Sequence, residues 1–154
     1  MTQFVHLHLH TEYSLADSIV RVPKLMQLVR KLGMSSVALT DVNNLFALVK
    51  FYQAAVKNGI KPIIGLDGQI SGLSPKEPIS RVVFLCKNEK GYKTLTKLVT
   101  KSYLEGQRGS GPTIERSWLV NAGQDLIVLS GGRNGDVGKA IISGNKKLSE
   151  EYIK

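Results

Sequence analysis

An α/β fold built on a parallel sheet is what this sequence predicts, and three observations predict it. Short apolar runs of strand length alternate with longer stretches whose apolar residues recur at helical spacing. Glycine, proline and asparagine punctuate the boundaries between them. Polar residues collect where the apolar runs end, as at His10, Asp41, Asp67 and the Ser130–Gly135 turn. In α/β folds, loops that follow the strands lie at one end of the sheet and carry the chemistry. His8, His10, Asp41, Asp67, Arg81 and Gly132 therefore form the first set of candidates.

Each element follows in order. Residues 4–10 read as a strand in which His6, His8 and His10 face one way and Val5, Leu7 and Leu9 the other. Residues 22–32 read as an amphipathic helix, with Pro23 in its first turn, Leu25, Leu28, Val29 and Leu32 on one face, and Gly33 as its stop. A short strand over 36–40 ends at Asp41, a second helix over 45–57 closes at Asn58-Gly59, and a third strand runs from Lys61 towards Ile70. The result is a βαβαβ pattern.

Residues 71–80, with Pro75 and Pro78, read as a loop before a fourth strand over 81–86. Asn88 is placed to cap a helix whose stripe is Leu95, Leu98 and Val99 and which runs to about Leu104. Residues 106–112 read as a loop. A short helix over 115–121 packs Trp118 and Leu119 inward, a fifth strand covers 126–129, a glycine-rich turn leads to a helix from Asp136, and residues 148–153 are helical.

All three histidines of the chain fall at alternate positions within residues 6–10. Two imidazoles two apart on a strand can converge on one zinc, manganese or iron ion, but further ligands must come from elsewhere. No other histidine exists to supply one. The plain alternative is a set of histidines hydrogen-bonded to neighbours at the polar end of a strand.

At 154 residues, with 42% apolar and 21% charged content, the chain has the length and composition of one soluble globular domain. No apolar run approaches the roughly 20 residues that cross a bilayer, and no basic-then-apolar signal segment opens the chain, so the expectation is a cytoplasmic protein without a membrane partner. The single cysteine, Cys86, lies in the run Val82–Cys86 and reads as a small core hydrophobe; a disulfide within the chain is excluded. A net charge of +9 favours an anionic partner, nucleic acid first among them. The lysines lie on helical faces with no aromatic interleaving, which is also what a solvated face looks like. The segment Gly131–Gly138 lacks both the Walker ending and dinucleotide spacing and reads as a strand-to-helix turn. With every histidine on one strand, no Ser/His/Asp triad is available.

Five separated blocks carry a family resemblance: residues 4–17; Ala38-Leu39-Thr40-Asp41 with Asn44-Leu45-Phe46; Gly59–Gly65; Asn88-Glu89-Lys90-Gly91-Tyr92; and Leu129–Gly138. Together they resemble, in order and over nearly the whole chain, the PHP (polymerase and histidinol phosphatase) domain at the N-terminus of bacterial DNA polymerase III alpha subunits. The resemblance implies a distorted (β/α) barrel. Residues 1–154 would be the N-terminal part of one such domain, ending before the barrel closes. Active members of the family bind a cluster of divalent metals and hydrolyse phosphoesters, where the metal lowers the pKa of bound water and neutralises charge on phosphate.

Carried over residue by residue, the resemblance places His8 and His10 on the first metal-binding pair, Asp17 on the acidic ligand after it, and Asp67 where a glutamate is expected. His6 matches no ligand. The remaining positions are altered: Val42 stands for a histidine and offers no lone pair, Arg81 stands for another and brings a fixed positive charge, and Gly132 stands for a cysteine. The expectation is a degenerate site, with Arg81 replacing a lost cation by pairing with Asp67 or Asp17, and at most a residual zinc or other divalent ion on His8 and His10. The implied role is architectural: a portion of a replicative DNA polymerase subunit that supports the polymerase, docks the proofreading exonuclease subunit and the rest of the holoenzyme, and meets DNA through the parent enzyme. Two alternatives remain. One is a metal-dependent phosphoesterase (pyrophosphatase or 3'-5' proofreading exonuclease) using His8, His10, Asp17 and Asp67; the other is a basic nucleic-acid-binding module. A sheet cut short also leaves an open edge, which predicts self-association.

Overall fold

The computed structural model describes residues 4–74, 77–109, 111–120 and 124–153. It divides into two compact units that meet in sequence at Leu66–Asp67.

In the first unit, a 3-10 segment Glu12–Asp17 precedes helix α1 (Val22–Lys31), strand β1 (Ser36–Leu39), helix α2 (Leu48–Lys57) and the opening of strand β2 (Lys61–Ile70). β1 and β2 run parallel, with Ser36 opposite Lys61 and Leu39 opposite Ile64. α1 begins at Val22 with Pro23 in its first turn as expected, because proline supplies a preset φ where no amide partner is needed. It buries Val22, Leu25, Met26 and Val29, while α2 buries Leu48, Phe51 and Ala55.

Two expectations fail here. Residues 4–10 do not form a strand: the backbone bends at Leu7 and His8. The segment follows β1 through Ala38 N–H to the His6 carbonyl and Thr40 N–H to the Leu9 carbonyl, both 2.9 Å. Between those bonds, however, the Leu9 amide donates to the Thr40 hydroxyl at 2.7 Å. A side chain takes the donor that a ladder needs, so the strict alternation of the histidines is lost. α2 also starts three residues later than expected. The Asn44 side chain accepts from Phe46 N–H at 3.1 Å and donates to the Val42 carbonyl at 2.9 Å, which holds the stretch before Leu48 as a turn.

In the second unit, β2 continues through Asp67–Ile70, followed by β3 (Ser80–Cys86), α3 (Glu89–Leu104), a hairpin of β4 (Gln107–Arg108) and β5 (Gly111–Pro112), a 3-10 turn Arg116–Leu119, β6 (Leu126–Leu129), a 3-10 turn Gly132–Asn134, α4 (Asp136–Ile142) and α5 (Lys146–Ile153). β3 has β2 and β6 as its neighbours. Asn88 caps α3 as expected, its Oδ1 accepting from Gly91 N–H at 2.9 Å, and its Nδ2 donates to Asp125 at 2.7 Å. Gly91 is required at this junction, since a Cβ there would lie 2.1 Å from the Asp125 carbonyl oxygen. The block Asn88–Tyr92 is thus a structural joint.

β6 pairs antiparallel with β3, Val83 opposite Leu129 and Cys86 opposite Leu126, so an all-parallel sheet is not what forms. A hairpin and a 3-10 turn stand between α3 and β6, and the direction rule for single helical crossovers does not apply to such a connection. The same hairpin replaces the loop expected over 106–112; Ser110 lies outside the described residues. The short helix expected over 115–121 is the 3-10 turn Arg116–Leu119, where Trp118 and Leu119 are half-buried and Asn121 lies outside the described residues. Ile70, Val83, Phe84, Leu95 and Ile114 form the core of this unit. Cys86 is half-buried, and burial pushes its thiol up to about 11, away from any nucleophilic role at neutral pH.

Candidate metal centre

The first unit brings three of the four predicted ligands together. The Nε2 atoms of His8 and His10 lie 3.0 Å apart, and Nδ1 of His10 lies 2.8 Å from Asp17 Oδ2. A neutral His10 with its Nδ1–H on Asp17 keeps a lone pair on Nε2, the atom that faces Nε2 of His8; which of the two Nε2 atoms carries a proton depends on the tautomer. Asp17 therefore sits behind the pair, orienting an imidazole, as carboxylates do behind metal-bound histidines. Two imidazole nitrogens on a tetrahedral zinc with ~2.0–2.1 Å bonds stand about 3.3 Å apart, so the spacing fits a single ion when His8 carries its proton on Nδ1.

Asp41 has a different occupation. It is buried, and it accepts from Thr11 N–H at 2.6 Å, the Thr11 hydroxyl at 2.8 Å and the Ser14 hydroxyl at 2.7 Å. Ser14 in turn accepts from Val42 N–H at 3.0 Å. This knot fixes the Thr11–Asp17 turn that carries Asp17, even though Leu15 within it takes a φ of 54°. The strand-end position of Asp41 marks it in the sequence; nothing there tells a ligand from an acceptor, and the parts of Thr11 and Ser14 appear only in three dimensions. Val42 occupies its altered position with an aliphatic side chain.

In the second unit, Arg81 pairs with Asp67: Nε donates to Oδ1 at 3.1 Å, and a terminal guanidinium nitrogen lies 2.8 Å from Oδ2 as a charge contact. Asp67 is 2% exposed, so its charge is out of water and is balanced here by a guanidinium. The pairing with Asp67 is one of the two expected of Arg81. Gly132 begins the 3-10 turn after β6 with a φ of 57° and open space where a Cβ would stand. Of the altered positions, Val42 and Gly132 offer no metal donor, and Asp41 is engaged by three hydrogen bonds.

The second unit also carries a cavity of about 360 Å³ beside Ser71, Glu77, Arg108, Glu115 and Arg116. Its charges are internally balanced, Arg108 on Glu115, Arg116 on Asp136, and Glu77 accepting from the Tyr152 hydroxyl at 2.6 Å.

Two solved structures share the α/β fold of this chain over about two thirds of its length. A chain described as a metal-dependent phosphoesterase from Bifidobacterium adolescentis matches with a TM-score of 0.52 and 15% identity, over 68% of this chain and 34% of that one. An amidohydrolase from Chromobacterium violaceum matches with a TM-score of 0.51 and 17% identity, over 67% and 34%. The chain belongs to the PHP domain family, whose model matches residues 6–154. It is similar to DNA polymerase III subunit alpha of Pseudomonas fluorescens, at 46% identity over 96% of this chain and 12% of that protein. The same subunit of Vibrio cholerae is 42% identical, and that of Escherichia coli 40%, each over 98% of this chain and 13% of the relative. The chain thus spans about an eighth of the length of the curated relatives it matches. Among the described residues, no helix is long and apolar enough to cross a membrane.

Proposed function

We propose that this chain is the N-terminal portion of a replicative DNA polymerase III alpha subunit, a part of a distorted PHP barrel that works in the cytoplasm as a scaffold and as the docking site of the proofreading exonuclease subunit. The observation that carries the reading is the Arg81–Asp67 clamp. A guanidinium fixed on a buried carboxylate within β2 satisfies that carboxylate without a metal and repels a cation brought beside it. His8, His10 and Asp17 then retain room for one zinc or similar ion, which would brace the N-terminal segment. Such an ion would not supply the multinuclear chemistry of phosphoester hydrolysis. DNA synthesis belongs to the parent enzyme, whose catalytic carboxylates lie in another domain.

The test is twofold. The chain is titrated calorimetrically with purified proofreading exonuclease subunit, and it is assayed against p-nitrophenyl thymidine monophosphate with manganese or zinc. Binding without turnover is expected; turnover abolished by His8→Ala would overturn the reading. The rival phosphoesterase reading, with His8, His10, Asp17 and Asp67 as ligands, is favoured by one observation, the 3.0 Å convergence of the two Nε2 atoms.

A further inference from the structure

Four lysines lie along one line of α3. Lys90, Lys93, Lys97 and Lys101 are spaced three, four and four residues apart, which on a helix of 3.6 residues per turn places them on one face, opposite the buried Leu95 and Leu98. Lys90, Lys93 and Lys97 are exposed and Lys101 is half-buried, its Nζ 4.4 Å from the centroid of the Trp118 ring. Between Lys90 and Lys101 the other side chains of that face are the threonines Thr94 and Thr100. The only acidic side chains on the helix and its cap are Glu89 and Glu105, paired with Lys93 at 2.7 Å and Lys101 at 3.6 Å. Exposed pairs of this kind are worth a few tenths of a kcal/mol and exchange readily for another anion.

We infer that this stripe of α3 is a contact surface for the phosphate backbone of duplex DNA, separate from the His8–His10 pair and independent of how that pair is used. The stripe is about 16 Å long at ~1.5 Å rise per residue. One DNA strand presents a phosphate every ~3.4 Å along the axis, so the line of ammonium groups faces roughly five of them. A lipid surface is a poor match, because interfacial helices insert an apolar face and that of α3 is spent on the core. A protein partner is a poorer match than DNA, because lysine is depleted from protein interfaces whereas a lysine line suits a regular polyanion. No base-reading group accompanies the lysines, so binding is independent of sequence.

The experiment measures anisotropy of a fluorescein-labelled 20-base-pair duplex titrated with the full 154-residue chain across a salt series. Four phosphate contacts give a slope of log K against log salt of about −3.6. Lys90→Glu with Lys97→Glu is expected to weaken binding at least tenfold at low salt and to flatten the slope by about 2. The milder Lys90→Gln with Lys97→Gln shifts both in the same direction. Thermal melts verify folding, since none of these changes touches the buried face. Lys24→Glu with Lys31→Glu on α1 removes the same net charge and is expected to change affinity less than twofold. Equal losses from the α1 pair, no measurable duplex binding, or equally tight, stripe-dependent capture of poly-glutamate would each overturn the inference.

Discussion

Arg81 closes on Asp67 with one hydrogen bond, Nε to Oδ1 at 3.1 Å, and a second close charge contact, a terminal nitrogen 2.8 Å from Oδ2, on adjoining strands β2 and β3. A carboxylate 2% exposed has to be neutralised by something, and in this chain the partner is covalently part of the next strand. Arg81→Met leaves the buried charge unbalanced and is expected to destabilise the fold by about 3–5 kcal/mol, whereas Asp67→Leu with Arg81→Met recovers most of that loss. Urea unfolding of the single and double variants measures both. A double variant as unstable as the single would show that the pair does not act as a unit.

The knot around Asp41 gives a second expectation. Asp41→Ala strands three donors, the Thr11 amide and the Thr11 and Ser14 hydroxyls. At ~1–3 kcal/mol for each buried unsatisfied group, a loss of at least about 3 kcal/mol is expected. Ser14→Ala removes one donor and costs about 1 kcal/mol. Thermal melts of the two variants should rank in that order, with the His8–His10 segment losing amide protection in Asp41→Ala first.

The Tyr152–Glu77 hydrogen bond ties α5 to the segment before β3 and makes stability depend on pH at both extremes. Burial first, and then Glu77, push the Tyr152 hydroxyl up to about 12 from its ordinary 10. The unfolded chain then deprotonates first, so this contribution is full below pH 10 and is lost as pH rises towards 12. The Tyr152 hydroxyl, followed by the Leu73 amide, holds the Glu77 carboxyl below its usual value of 4.5, so its contribution is present above that pH and is lost as pH falls through the lowered value. Tyr152→Phe is expected to cost about 1 kcal/mol near neutrality and to lessen the alkaline loss, leaving the part that Cys86 contributes. An alkaline fall in Tyr152→Phe as large as that of the parent would contradict this.

The turn after β6 depends on a close backbone approach. A Cβ on Gly135 would lie 1.5 Å from the Ser130 carbonyl oxygen. Gly135→Ala therefore has to open the turn, and a loss of roughly 3 kcal/mol is expected, in the range of mutations that force backbone to move. Calorimetric melting tests it: a variant within about 1 kcal/mol of the parent would mean that the turn gives way easily.

Elements bounded by local chemistry were legible in the sequence. Pro23 and Gly33 mark α1, Asn88 marks the start of α3, and the apolar runs of β1 to β3 and β6 stand where the pattern puts them. What escaped is set by single side-chain hydrogen bonds and by elements too short to leave a pattern. The Thr40 hydroxyl spoils the N-terminal strand, Asn44 delays α2, and the antiparallel course of β6 follows from a two-residue hairpin too short to leave a periodicity. At the site, spacing drew attention to His6, His8 and His10 alike; the family resemblance singled out His8 and His10 and suggested the pairing of Arg81 with Asp67 or Asp17. That Asp17 lies behind His10, and that Asp41 serves Thr11 and Ser14, required the fold.

Metal content of the purified chain, by elemental mass spectrometry with thermal melts before and after chelation, tests the central claim most directly. The scaffold reading predicts no more than one ion per chain and a melt that moves little when it is removed. Two or more tightly held ions per chain, with a melt that collapses on chelation, would contradict the scaffold reading and restore the phosphoesterase.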